Sequence, residues 1–177
     1  GIECTNIKSV DENAIIKNFD KLFVEKNLPR KSLEYLLKRY LNHPIYSYKS
    51  YLIVDPETQN HSLLFAREVK YKSSKVLRIV DFIGDIRSLG KLNAWIKFII
   101  SKNFYEYVDL LCSGIDQKIL EKSGFNLVIK DDEIIVPTYF EPFVDKNIDI
   151  YFEKSHKDLI LFKGDADGDR PNNSKHI

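Results

Sequence analysis

The chain has no methionine in its 177 residues. A gene product starts with one, so the expectation is a piece of a longer protein, its C-terminal end, with Gly1 a processed or introduced terminus. Cysteine is almost as scarce. Cys4 and Cys112 lie far apart and fit neither a disulfide framework nor a zinc site, which makes a reducing cytoplasm the simplest compartment. Excess charge of either sign is missing too. Lys and Arg number 27 against 26 for Asp and Glu, and no segment is a basic stripe with interleaved aromatics, so a nucleic-acid partner is disfavoured. Long hydrophobic runs are also lacking. Trp95–Ile100 has Lys97 inside it and falls well short of the about 20 apolar residues a membrane-spanning helix needs. His43, His61, His156 and His176 are scattered without ligand spacing, so no metal centre is expected from them. No internal repeat and no low-complexity linker interrupts the chain.

What is present is an apolar share of 44%, ample for one domain with its own core, and an ordered pattern from Val76 to Phe125. Val76–Gly84 (VLRIVDFIG) is rich in β-branched residues and too short for a helix, so it is expected as a strand. Asp85–Ser88 comes next, and Leu89, Leu92, Trp95, Ile96 and Ile99 then recur at helical spacing. Tyr105–Cys112 reads as the next strand, and Asp116 opens a short helix that stops at Gly124. This β-α-β-α order implies parallel strands joined by a right-handed crossover. Ligands with phosphates settle where the first strand ends and the helix begins, because backbone N–H groups converge there on the positive end of the helix dipole. Upstream, Ile2–Val10 is expected as a strand, and Asp11 as the N-cap of a helix with Ile15, Ile16, Phe19, Leu22 and Phe23 on one face. Ser32 caps a second helix that Pro44 ends. Tyr46–Val54 and His61–Tyr71 are expected as strands. Asn126–Lys130 and Glu133–Pro137 are expected as a hairpin about Asp131-Asp132, and Leu159–Phe162 as a last strand before a polar tail.

The resulting order, β-α-α-β-β-β-α-β-α-β-β, resembles the Gcn5-related N-acetyltransferase (GNAT) fold, an α+β arrangement whose mixed sheet is splayed around an acyl-CoA groove. Ser32–Pro44 is similar to the second helix of that family, Leu77–Gly84 to its central fourth strand, and Leu120–Phe125 (LEKSGF) to the Gly-Phe after its last helix. The VDFIG phrase also resembles the corresponding strand of peptidyltransferases that build peptidoglycan cross-bridges. Tyr139–Phe143, Asn147–Ile150 and Phe162–Asn172 (FKGDADGDRPN) resemble the C-terminal domain of acetyltransferase-like proteins from bacterial surface-polysaccharide clusters, where such a domain follows a first one. The resemblance implies a GNAT-like domain over 1–143 with 144–177 packing on it as an extension. It further implies a cytoplasmic acyl-CoA-dependent N-acyltransferase acting on an amino sugar, partnered by a second domain of the same full-length protein. The other expectation it leaves open is a non-catalytic GNAT-like domain that supports or completes the site of a partner acetyltransferase domain.

By that resemblance the pyrophosphate loop is Arg87-Ser88-Leu89-Gly90-Lys91-Leu92. The family pattern asks for Arg or Gln, then Gly, then a second small residue at the place where Leu92 stands, whose bulk would crowd the pyrophosphate. Phe82, Ile83, Arg87, Ser88, Gly90 and Lys91 are then the implied contacts of acetyl-CoA or another acyl-CoA. The alternative is an ordinary helix start whose Arg and Lys face water. Acyl transfer to an amine also needs a base for the ammonium proton and an acid for the departing thiolate. Asp81, between Val80 and Phe82 on the central strand, is the first candidate base, since burial would raise its pKa toward a useful value. Glu68, on the adjacent strand, is the second. The competing expectation for Asp81 is a structural carboxylate hydrogen-bonded to a loop or helix end. The acid in many relatives is a tyrosine just after the fifth strand. Here Leu110-Leu111-Cys112-Ser113 has none, leaving Cys112 or Ser113. Tyr46, Tyr48 and Tyr51 are expected as packing or as one wall of an acceptor site. Asp165, Asp167 and Asp169 alternate like the first half of an EF-hand loop, but Arg170 and His176 stand where its Gly and bidentate Glu belong. The tail is therefore expected to be structural rather than calcium-binding.

Overall fold

A computed structural model describes residues 6–22, 29–138 and 144–171. In it, β1 (Ile7–Ser9), β2 (Tyr48–Val54), β3 (His61–Tyr71), β4 (Ser74–Ile83) and β5 (Val108–Leu110) form one sheet in that spatial order. Neighbours from β1 to β4 are antiparallel, and β5 runs parallel to β4. β6 (Cys112–Ser113) and β7 (Leu161–Phe162) make a separate antiparallel pair. The helices are α1 (Glu12–Asn18), α2 (Leu33–Leu36, continued by a π-helical turn Leu37–Leu41), α3 (Asn93–Asn103) and α4 (Gln117–Lys122). The fold is thus α+β with a mostly antiparallel sheet. Three helix starts are set by the expected caps: the side chains of Asp11, Ser32 and Asp116 accept from the N–H groups of Ala14, Tyr35 and Lys118.

Alternation along the strands divides the core between two faces. Tyr51, Leu64, Ala66, Leu77 and Ile79 point to α3, where they meet Leu89, Leu92, Trp95, Ile96 and Ile99. Leu63, Phe65, Val80 and Ile83 point the other way, to Ile15, Leu36 and Tyr40 from α1 and α2. One irregularity in β4 sets the position of Asp81. Phe65 pairs with Asp81 while Ala66 pairs with Ile79, which leaves Val80 as an extra residue in β4. Strict alternation would put Asp81 on the apolar α3 face with Leu77 and Ile79. The bulge turns it onto the α2 face instead. At the end of β4, Gly84 has φ +135, and a Cβ there would collide with Ser62. This glycine lets the chain swing into Asp85, whose carboxylate caps the 3-10 turn Ile86–Lys91 before α3.

Three expectations need correction. Asn126–Lys130 and Glu133–Pro137 form no strands. The Asn147 side chain takes the place of cross-strand pairing: its amide donates to the carbonyls of Ile134 at 2.8 Å and Ile129 at 3.3 Å, and its oxygen accepts from Val136 N–H at 2.9 Å. The strand expected over Tyr105–Cys112 breaks at Leu111, and Cys112 leaves β4 to pair with Phe162. Ile16, expected inside, is 45% exposed because α1 is too short to lay a full apolar stripe on the sheet. Cys4, Phe23, Tyr139–Phe143 and His176 lie outside the described residues. Among the described residues, no helix is long and apolar enough to cross a membrane.

Candidate functional site

β4 and β5 run together only from Leu77–Val108 to Ile79–Leu110, after which β4 continues to Ile83 paired with β3 alone. The parting is local chemistry: β5 is three residues long, and the chain beyond it turns away into β6. The gap is filled by the chain itself. β7 and the 3-10 turn Lys163–Asp165 lie along the edge that β5 has vacated. The Lys163 N–H donates to the Leu111 carbonyl at 3.1 Å, and the Phe162 ring lies 6.4 Å from that of Phe82. Gly164 rests so closely on this edge that a Cβ would strike the Tyr40 hydroxyl and approach the Val80 carbonyl oxygen at 2.8 Å. We call Leu161–Asp169 the strap.

Two buried ion clusters fasten it. In the first, Lys31 lies between Asp81 Oδ1 at 2.5 Å and Asp165 Oδ1 at 2.7 Å. The Tyr40 hydroxyl donates to Asp81 Oδ2 at 2.7 Å, and the N–H of Phe82 donates to Asp81 Oδ1 at 2.8 Å. Asp81 is fully buried. Burial pushes its carboxyl up, against the pull of the Lys31 ammonium. Burial alone would lower Lys31, yet the two carboxylates beside it hold it above the ordinary lysine range. Burial next to Asp81 raises the Tyr40 phenol well beyond titration near neutral pH. In the second cluster the buried Asp169 carboxylate accepts from Tyr48 at 2.6 Å, Arg39 at 3.3 Å, and Arg67 through Nε at 3.1 Å and Nη2 at 2.8 Å. A third pair lies beside them: Arg78 forks onto Asp109 and donates to the Pro137 and Thr138 carbonyls. Lys163 donates to the same Thr138 carbonyl at 2.9 Å, and burial lowers its pKa to about 8.

The other sequence candidates are not gathered around Asp81. Glu68 sits on the opposite face, where its carboxylate accepts from Tyr105 at 2.9 Å and from Lys49 and Lys70 at 3.2 Å each. Burial alone would raise it, but these donors hold the Glu68 carboxyl down at about 2. Phe82 and Ile83 are core residues. Arg87 is forked onto Asp85, and Lys91 donates to Asp55 at 2.8 Å. Gly90 is covered by the Lys122 stem, and Ser88 is buried with no hydrogen-bond partner for its hydroxyl among the described residues. Leu92 is fully buried. Burial pushes the Cys112 thiol up to about 11, and Cys112 and Ser113 both face β7 as strand partners. Of the three tyrosines, Tyr51 packs on Trp95 with ring centroids 4.9 Å apart, Tyr48 belongs to the Asp169 cluster, and Tyr46 lies under Arg67 at 4.0 Å. Among the described residues there is no cluster of His, Cys, Asp or Glu able to hold a metal ion.

Sequence reasoning did not find Lys31, Tyr40, Arg39 or Arg67. The alternating aspartates were a usable signal, but their cations lie up to 130 residues away in the chain. The arrangement holds charge and orders a segment; its carboxylates are already matched by cations and phenols.

No family model and no curated protein matches the chain. Among solved structures it is similar to TTHA1254 from Thermus thermophilus, as wild type and as a point mutant. Identity is 17% in both cases, with TM-scores of 0.46 and 0.47 over 73% of this chain and 95% of that one. The likeness is too slight to carry a role across.

Proposed function

We propose that this chain is a GNAT-like domain that does not transfer an acyl group itself and instead supports, or completes the acceptor site of, an acetyltransferase domain in a longer protein of bacterial surface-polysaccharide synthesis. One observation carries the reading. The edge of β4 beside Val80 and Phe82, where an acyl-CoA would have to lie, is covered by Phe162 and Gly164 of the chain's own strap. The residues that the resemblance assigned to the cofactor are engaged elsewhere. Arg87 is bound to Asp85 and Lys91 to Asp55, the Phe82 N–H is taken by Asp81, and Leu92 fills the core. They do not fit acetyl-CoA as they stand. The candidate bases are as poorly placed for chemistry: Asp81 is sealed behind Lys31 and Tyr40, and Glu68 is held ionised on the other face.

Thermal melting with acetyl-CoA tests this. A domain that binds it would gain about 1.4 kcal/mol at ten times Kd, roughly 3–6 °C for a chain of this size. We expect no rise at millimolar acetyl-CoA. A saturable rise that Gly90→Glu abolishes would overturn the proposal in favour of a catalytic N-acyltransferase using Asp81 or Glu68.

A further inference from the structure

A cavity of about 400 Å³ lies between the strap and residues 150–152. Leu111, Ile150, Phe152 and Ala166 give it apolar walls, and its volume falls in the range that small-molecule sites occupy. Tyr151, also in the lining, is 88% exposed, so the cavity opens to solvent on that side. Lys163 lines it as well and is 2% exposed, which places this residue at the inner end. Among the described residues, Lys163 is the one charged side chain in the lining. Gly168 forms the wall beside it. A Cβ built there would stand 3.4 Å from Lys163 Cγ and 3.9 Å from Cε and Nζ, so only a hydrogen, and no side chain, separates that wall from the lysine.

Burial is the main influence on this amine and lowers its pKa to about 8, with Arg78 and Arg67 pushing the same way and Asp109 and Asp169 against. The opposition is weak, because Asp109 is already forked by Arg78 and Asp169 by Arg67. The Lys163 nitrogen donates to the Thr138 carbonyl at 2.9 Å, and Arg78 donates to the same oxygen at 2.7 Å, so two cations share one neutral acceptor. At pH 7 about a tenth of Lys163 is then free amine, against about one part in three thousand for an ordinary lysine. Desolvation and a neighbouring cation are the two conditions that turn a lysine into a nucleophile toward carbonyl carbon. Both are met here, at the inner end of a cavity.

We propose that Lys163 is an imine-forming lysine and that the cavity it lines admits a small aldehyde with an apolar body. The amine nitrogen attacks the carbonyl carbon, both amine hydrogens leave with the carbonyl oxygen as water, and a C=N bond takes the place of C=O. The step is reversible and needs no oxidant, reductant or further reactant. An aldehyde suits the lining because what it releases is neutral. With no second charged side chain in the wall among the described residues, an anionic leaving group would find no partner there.

Reductive trapping tests this on the intact chain. Benzaldehyde with sodium cyanoborohydride at pH 7 converts an imine to a stable benzylamine, and peptide mapping then reads the occupancy of each lysine. Lys163 is expected to be labelled at least about tenfold faster than the mean of the other lysines. That advantage shrinks above about pH 8, where its amine is already free while theirs is still being released. Gly168→Leu sets a side chain over Lys163 at a position where the added Cβ meets only ordinary contacts. It is expected to cut labelling of Lys163 severalfold with the melting temperature unchanged. Toluene, which fills the same volume without a carbonyl, is expected to slow labelling of Lys163 and of no other lysine. Labelling of Lys163 no faster than that of the other lysines would overturn the proposal. Labelling that neither Gly168→Leu nor toluene slows would overturn it too, since the amine would then be reached by local unfolding and not through the cavity.

Discussion

The two faces of the sheet are held by different physics. On the α3 face, β2, β3 and β4 present Tyr51, Leu64, Ala66, Leu77 and Ile79 to Leu89, Leu92 and Trp95, an apolar centre with the Glu68, Lys49, Lys70 and Tyr105 contacts at its rim. On the α2 face the same strands set Leu63, Phe65, Val80 and Ile83 in an apolar cluster with Ile15 and Leu36, and add to it Arg67 and Asp81, which meet Lys31, Arg39, Tyr40 and Tyr48 and are closed over by Asp165 and Asp169 of the strap. Apolar contact is non-directional and stabilises in proportion to the area removed from water. A buried ion cluster contributes little net stability, because desolvation offsets attraction, but it heavily penalises any arrangement that leaves one member alone. The difference teaches a division of labour. Both faces gain stability from apolar burial, and the ion set that only the α2 face carries dictates where the C-terminal segment must lie.

The sharpest way to break that comparison is Lys31→Met. It removes the ammonium between Asp81 and Asp165 and leaves two carboxylates facing each other in a site where Asp81 has no solvent exposure. The expected loss is about 3–5 kcal/mol, read as a fall in the urea midpoint. Adding Asp81→Asn and Asp165→Asn to the same chain is expected to restore most of it, since no unpaired charge then remains. If the triple variant is as unstable as Lys31→Met alone, the ammonium was not what fixed the strap.

The apolar counterpart is Leu77→Ala. Leu77 is fully buried within the α3-side cluster, and truncation costs its transfer free energy plus a cavity, about 3 kcal/mol. No single partner substitution is expected to rescue it, because the lost contacts are shared among many neighbours. Combined with the Lys31→Met change it should be close to additive, the two lying on opposite faces of the sheet. A coupling as large as either single effect would mean that the faces are not independent.

The same division decided what could be read from the sequence. The α3 face was legible, because Leu89, Leu92, Trp95, Ile96 and Ile99 recur at helical spacing and β4 is rich in β-branched residues. Caps were legible at Asp11, Ser32 and Asp116, since a cap is a local hydrogen bond. The Asp81 cluster was only half legible. A carboxylate between Val80 and Phe82 announces a partner, and a structural role was one of the two expectations, but the bulge at Val80 and the choice of Lys31 and Tyr40 are tertiary facts. The hairpin expected around Asp131 failed for a related reason. Two strand-like runs predict pairing, and nothing local reveals that Asn147 will supply the hydrogen bonds instead.

The smallest effect separates the two carboxylates that sequence analysis had grouped as candidate bases. Glu68 stands at the rim of the α3 face, 24% exposed. Burial alone would raise it, but Tyr105, Lys70 and Lys49 hold it at about 2 from an ordinary value of 4.5. The folded pKa lies below the unfolded one, so the unfolded chain takes up a proton first as pH falls. Glu68 therefore contributes stability that is present above about pH 4.5 and is lost as pH drops toward 2. Solvent screening at a rim position keeps the contribution to about 1–2 kcal/mol. Glu68→Gln is expected to be less stable than the parent at pH 6, with the gap closing between about pH 4.5 and 2, as followed by urea midpoints across that range. Two parallel stability curves would show that the Tyr105–Glu68–Lys49 contacts do not distinguish the charged carboxylate from its amide.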